Sequence, residues 1–140
     1  MTEELLLGGC LCGAVRYQAR ERPTASMVCH CRTCTKAAGA AAVPWVTFDT
    51  HVFSFTRGTP MEYRSSPPVT RTFCGACGTP LTYVHADRSA EVDVTTRSLD
   101  HPSAYPPSHH SWESHKLAWF ECGGTLPKHA TTKKPVSGSD

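Results

Sequence analysis

The cysteine placement limits this chain's folding more than any other feature. Seven of its eight cysteines fall into three tight clusters, Cys10-x-Cys12, Cys29-x-Cys31-x-x-Cys34 and Cys74-x-x-Cys77, while Cys122 stands alone. Thiolates delivered at close spacing from tight turns suit a borderline-soft, tetrahedral ion such as zinc. Two sulfurs cannot close a tetrahedron, so each two-cysteine cluster needs a partner. The residues that follow suggest which: Gly13 comes after Cys12 and Gly78 after Cys77. A glycine there can take positive φ and turn backbone N–H groups toward the sulfurs, donors that four thiolates on one divalent ion require. Cys34 is followed by Thr35 instead. The expected partition is four plus three, two zinc ions per chain: one on Cys10, Cys12, Cys74 and Cys77, the other on Cys29, Cys31 and Cys34.

Two other readings of these cysteines are weaker. Buried free thiols are common in cores, but not seven of them at ligand spacing within 140 residues. A disulfide framework needs an oxidising compartment. Thr2-Glu3-Glu4, followed by three leucines and then Gly8-Gly9, offers neither the basic start nor the apolar run of a signal peptide. The expectation is a cytoplasmic protein with reduced thiols. No stretch approaches the roughly 18 apolar residues of a membrane span. The 14 basic and 12 acidic residues are spread along the chain, leaving no electrostatic footprint for nucleic acid or an anionic membrane.

Between the clusters, short alternating runs dominate. Val15 and Tyr17 share one strand face, and Phe53/Phe55, Met61/Tyr63, Leu81/Tyr83 and Val92/Val94 repeat the pattern. Turn sequences such as Gly58-Thr59-Pro60, Ser66-Pro67-Pro68 and Asp87-Arg88-Ser89 separate the runs. The pattern predicts an all-β fold of seven or more short strands, with one helical piece from Arg32 to Ala38 ended by Gly39. With 39% hydrophobic residues the core is thin for the length, so bound metal should help hold the fold. One zinc-binding β domain is expected over residues 1–130, followed by a polar, disordered tail over 131–140.

The three-cysteine cluster bears most directly on function. Structural zinc sites are usually closed by four protein ligands, whereas catalytic ones keep a position open. The fourth ligand here is either exogenous or a distant residue: Cys122, a histidine or an acid such as Asp100. An open position is the favoured reading. His30 lies between two ligands, but neighbouring side chains of an extended segment point to opposite faces. It reads as a structural histidine.

Three stretches together resemble the glutathione-dependent formaldehyde-activating enzyme and centromere protein V family. They are Gly9-Cys10-Leu11-Cys12-Gly13-Ala14-Val15-Arg16-Tyr17, Cys29-His30-Cys31-x-x-Cys34 with Gly39, and Arg71-x-Phe73-Cys74-x-x-Cys77-Gly78. Tyr63 with Ser65-Ser66, Ser98-Leu99-Asp100, Trp119 and Leu126-Pro127 are similar to weaker family landmarks. The resemblance implies a β-tent-like fold stapled by zinc, with a structural ion on the four cysteines and a second ion on the three. It also implies a carbon–sulfur lyase type of activity, in which glutathione and formaldehyde condense to S-(hydroxymethyl)glutathione. No catalytic residue is assigned beyond the second zinc site. Glutathione carries two carboxylates, so Arg32, Lys36 and Arg71 are the candidate substrate-binding cations, with Arg64 a further one. The alternative is a non-catalytic zinc-binding module for protein interaction. A chromatin role is weakest, because the chain has no long basic extension.

Overall fold

The computed structural model describes residues 5–121 and 124–133, and among these it places ten strands and one α-helix. Strands β1 (Leu6–Gly9), β2 (Arg16–Ala19) and β5 (Phe53–Arg57) pair antiparallel in a three-stranded sheet. The others are β3 (Ala25–Cys29), β4 (Val43–Asp49), β6 (Met61–Ser66), β7 (Val69–Phe73), β8 (Pro80–His85), β9 (Glu91–Thr95) and β10 (His109–Ser111). They form a seven-stranded sheet in the order β10-β3-β4-β9-β8-β7-β6, antiparallel except where β10 runs parallel to β3. Helix α1 (Arg32–Ala38) follows β3, and Gly39 ends it in the left-handed conformation at φ 64°. No helix among the described residues is long and apolar enough to cross a membrane.

The large sheet buries both of its faces, and strand alternation decides which residue serves which. Val46 and Phe48 of β4 with Val92 and Val94 of β9 pack against Leu6, Tyr17 and Ala19 of the small sheet and Val15, the residue before β2. On the opposite face, Val43, Trp45 and Tyr83 pack with Cys29, Cys31 and Cys34. Tyr17 anchors the first cluster: it is 1% exposed, its ring lies 5.2 Å from that of Phe53, and its hydroxyl sits 2.7 Å from Ser98 Oγ.

Two expectations from the alternation change in the folded chain. Leu81 and Tyr83 do not share a face, since Leu81 belongs to the inter-sheet core and Tyr83 to the cysteine side. The cause is a register shift: Thr72 pairs with Thr82 but Phe73 with Pro80, which leaves Leu81 as the extra residue of a bulge. Met61 and Tyr63 alternate yet stay 54% and 63% exposed, because β6 is an edge strand paired only with β7.

Removing the Tyr17 hydroxyl with Tyr17→Phe should cost about 1 kcal/mol in urea unfolding, the typical net worth of one hydrogen bond. Tyr17→Ala should cost about 3–5 kcal/mol, as for other large aromatic truncations. Equal small losses for both would show that this ring does not anchor the interface between the sheets.

Candidate metal centres and the adjoining cavity

Cys10 and Cys12 lie in the turn between β1 and β2, and Cys74 and Cys77 in the turn between β7 and β8. Although Cys12 and Cys74 are 62 residues apart in sequence, their sulfurs are 3.8 Å apart, and Cys10 and Cys12 sulfurs are 3.7 Å apart. All four sulfurs fall within 4.8 Å of one another. A tetrahedron with zinc–sulfur bonds of about 2.3 Å puts its sulfurs about 3.8 Å apart, so the set fits zinc. Gly13 and Gly78 take φ values of 80° and 81°, with open space where a Cβ would stand. The backbone conformation, not crowding, is what requires glycine there. These turns aim donors at the sulfurs: Val15 N–H donates to Cys10 at 3.3 Å, and the Ala76 and Cys77 N–H groups donate to Cys74 at 3.4 Å. The Thr79 hydroxyl, 3.2 Å from the Cys77 sulfur, and the Thr79 N–H hold the Cys77 thiol down at about 5.

The second cluster is built where β3 hands over to α1. Cys29 is the last residue of β3, Cys31 caps α1, and Cys34 sits in its first turn; all three are buried. As cap, the Cys31 sulfur accepts from the Cys34 N–H at 3.3 Å. Three sulfurs this close cannot all ionise without a cation. Cys31 is driven far below the usual thiol range by contacts with the Cys29 and Cys34 thiols, while the same pairings drive Cys34 well above it. A divalent ion would remove that conflict, because metal binding replaces thiol protons. Among the described residues, no fourth cysteine, histidine or carboxylate joins these sulfurs. Asp100 is committed elsewhere, in a two-pronged ion pair with Arg16 at 3.0 and 2.5 Å. Cys122 lies outside the described residues.

Arg71 is the cation at this cluster. Both of its terminal nitrogens lie 3.5 Å from the Cys34 sulfur. Its Nε donates to Ser65 Oγ at 2.9 Å, Nη2 to Thr33 Oγ1 at 3.3 Å, and the guanidinium stacks 5.0 Å above the Tyr83 ring. Arg71 is 8% exposed, so this charge sits in a low-dielectric setting and acts strongly on the sulfur. Arg32 and Lys36 are exposed on α1 and line no part of the cavity described below; Arg64 is exposed on β6. His30 joins His110 and Glu113 rather than the sulfurs. Its Nε2 lies 2.9 Å from His110 Nδ1 and 3.6 Å from Glu113 Oε2.

A cavity of about 330 Å³ opens against the three sulfurs and runs across the face of the large sheet. Its floor is one cross-strand row, in which Ala25 pairs with Thr47, Thr47 with Asp93 and Asp93 with Tyr83; Arg71, paired with Tyr83, continues the row outside the cavity lining. Sequence reasoning missed Trp45, Thr47, Tyr83 and Asp93 as cavity residues. The available signal was polar residues at alternate positions inside apolar strands, as in Thr47 between Val46 and Phe48 or Asp93 between Val92 and Val94. Thr132 and Lys133, in the stretch expected as a disordered tail, line the cavity, and the Thr131 carbonyl accepts from Trp112 N–H at 2.9 Å. Residues 134–140 lie outside the described ones.

The two cysteine clusters should respond differently to mutation. The four-sulfur set joins turns of two sheets, and zinc in such a site is worth about 10–16 kcal/mol, against a domain stability of about 5–15 kcal/mol. Cys74→Ser should therefore abolish cooperative thermal unfolding. Cys34→Ser, within a local cluster, should keep a cooperative transition. Equal loss in both variants would contradict this division.

Three comparisons bear on identity. A solved Rhodobacter sphaeroides protein shares the fold, with a TM-score of 0.59 and 18% identity over 88% of this chain and 99% of that one. No curated protein matches the chain. The family model for glutathione-dependent formaldehyde-activating enzyme matches residues 5–115, a span that contains both metal-ligand clusters and Arg71. The chain belongs to the glutathione-dependent formaldehyde-activating enzyme family.

Proposed function

We propose that this chain is a zinc-dependent enzyme of the carbon–sulfur lyase type, which joins glutathione or a similar small thiol to formaldehyde and separates the adduct again. The observation that carries the reading is the three buried sulfurs facing a cavity with a fixed guanidinium beside them. Two zinc ions per chain are proposed, a structural one on Cys10, Cys12, Cys74 and Cys77 and a reactive one on Cys29, Cys31 and Cys34. A zinc ion at the second cluster would supply positive charge that makes an incoming thiol a thiolate near neutral pH.

The chain's own residues supply the rest. Cys29, Cys31 and Cys34 would hold the ion with three sulfurs, and the cavity beside them gives a substrate sulfur access to it. Arg71 offsets the negative charge that the sulfurs accumulate, and Ser65, Thr33 and Tyr83 fix its orientation. In the forward direction a carbon–sulfur bond forms as the carbonyl π bond breaks, and the proton lost by the thiol ends on the new hydroxyl. In reverse the hydroxyl proton returns to sulfur as the carbon–sulfur bond breaks. Trp45 and Tyr83, with rings 5.9 Å apart, form a wall that limits water around the sulfur. Of the three cations expected to meet substrate carboxylates, Arg71 carries the proposal.

Exchange spectroscopy on glutathione and formaldehyde mixtures reads the exchange rate directly. Zinc-loaded protein should accelerate it, and Cys34→Ser should remove the acceleration. Arg71→Met should lower kcat/KM by about 10- to 100-fold, the equivalent of losing a charged hydrogen bond of roughly 1.5–3 kcal/mol. Arg71→Lys should restore only part of the rate, since an ammonium lacks the planar fork. An exchange rate equal to the protein-free mixture would overturn the enzyme reading and favour a zinc module for protein interaction.

Metal analysis of chelator-washed, reduced protein should give about two zinc ions per chain. A value near one would remove the second centre from the proposal.

A further inference from the structure

An outermost strand presents a row of unused N–H and C=O groups, so the edges of a sheet decide what it can still pair with. The large sheet closes one of its two edges. Beyond β10, the His110 N–H donates to the Pro127 carbonyl at 2.8 Å, and the His129 N–H to the His110 carbonyl at 3.0 Å. The small sheet covers β1 in a similar way: Gly8 bridges to Leu99, and the Asp100 N–H donates to the Leu7 carbonyl at 2.9 Å. Its other edge, β5, exposes Ser54, Thr56 and Arg57, all polar. β6 differs from these three. Among the described residues it pairs with β7 alone, and it exposes Met61, Glu62, Tyr63 and Arg64 in succession, two of them large and apolar.

The order of charges along β6 selects its occupant. Two copies of one edge strand pair antiparallel about a two-fold axis perpendicular to the sheet, which sets one residue opposite its own copy. Side chains that meet must share a face, so the axis passes through a residue position and not between two. With Glu62 on the axis two carboxylates would oppose each other, and with Arg64 two guanidiniums, each a destabilising pair. With Tyr63 on the axis, Glu62 faces Arg64 of the second copy and Arg64 faces Glu62 of the second copy. These reciprocal ion pairs lie on one face, while Tyr63 meets its own copy on the other as a cross-strand aromatic pair.

We propose that β6 is a self-docking edge, to which a second copy of this chain adds its own β6 antiparallel about Tyr63, joining two seven-stranded sheets into one. Regular pairing of β6 with β7 runs only from Met61 to Tyr63, before a register shift. The contact is therefore short, and its exposed ion pairs are open to screening by salt, which makes the dimer reversible. Tyr63 is itself paired with Arg71, so the dimer carries the row of the cavity floor through the axis. The two Arg71 residues then stand three strand spacings apart, about 14 Å, with both cavities on the same face.

Sedimentation of the zinc-loaded full chain over a concentration series reads the association. The wild type should dimerise, and severalfold more weakly as salt rises from about 0.1 to about 1 M and the Debye length falls from about 10 to about 3 Å. Glu62→Arg and Arg64→Glu should each weaken self-association at least tenfold, since each sets like charges against each other. An equimolar mixture of the two variants should form a heterodimer, because it sets opposite charges together at both positions. The double variant with both reversals should dimerise as the wild type does. Zinc content and cooperative melting should be unchanged in every variant, since both side chains are exposed. A wild type that stays monomeric at every concentration would overturn the proposal. So would single reversals that dimerise as the wild type does, which would place the contact elsewhere, or a mixture that stays monomeric.

Discussion

Four cysteine sulfurs drawn within 4.8 Å of one another are the constraint on which the rest of the molecule depends, a spacing that fits a single tetrahedral ion. The sulfurs of Cys10, Cys12, Cys74 and Cys77 converge from a turn of the small sheet and a turn of the large one. Joining these turns sets the small sheet over the apolar face of the large one, where Tyr17, Phe48 and Leu81 fill the gap. The same staple positions β7, because Cys74 directly follows its last residue, Phe73. Arg71 lies two residues earlier on that strand, and it is the residue that reaches Cys34. One turn of the four-sulfur cluster thus helps place the cation that lies beside the other cluster.

The large sheet divides its faces between stability and chemistry. Val46, Phe48, Val92 and Val94 point into the inter-sheet core, and alternation alone turns Trp45, Thr47 and Asp93 toward the cavity. Moving either strand by one residue would exchange the two sets, burying Asp93 in the core and exposing valines to the cavity. The antiparallel pairing of β4 with β9, Thr47 opposite Asp93, holds that register. The Thr47 hydroxyl bonded to Asp93 reinforces it from the side chains.

Much of this was legible in the sequence where the cause is local. Ligand spacing, the glycines after Cys12 and Cys77, and the short helix closed by Gly39 all depend on a few consecutive residues, and the fold class followed from short alternating runs. The cavity depends instead on strand order. Thr47, Asp93 and Tyr83 line it from β4, β9 and β8, with Arg71 of β7 next in the row, and nothing in the chain order announces that these strands lie side by side. Arg32 and Lys36, named as cations for the substrate carboxylates, stand exposed on the seven-residue helix that buries Cys34 and outside the cavity lining, a placement that depends on how the helix packs and not on sequence. The bulge that parts Leu81 from Tyr83 is likewise invisible to a period-two count.

The central claim is that one cluster closes zinc with four sulfurs while the other leaves a position for a substrate thiol. X-ray absorption at the zinc edge tests it most directly, because sulfur and lighter ligands scatter at different distances. Two-zinc protein without thiol should average about 3.5 sulfurs per ion with a fractional oxygen or nitrogen shell, from one four-sulfur and one three-sulfur site. Glutathione should raise that average to about four and remove the lighter shell. An average of four sulfurs before any thiol is added, unchanged afterwards, would contradict the account.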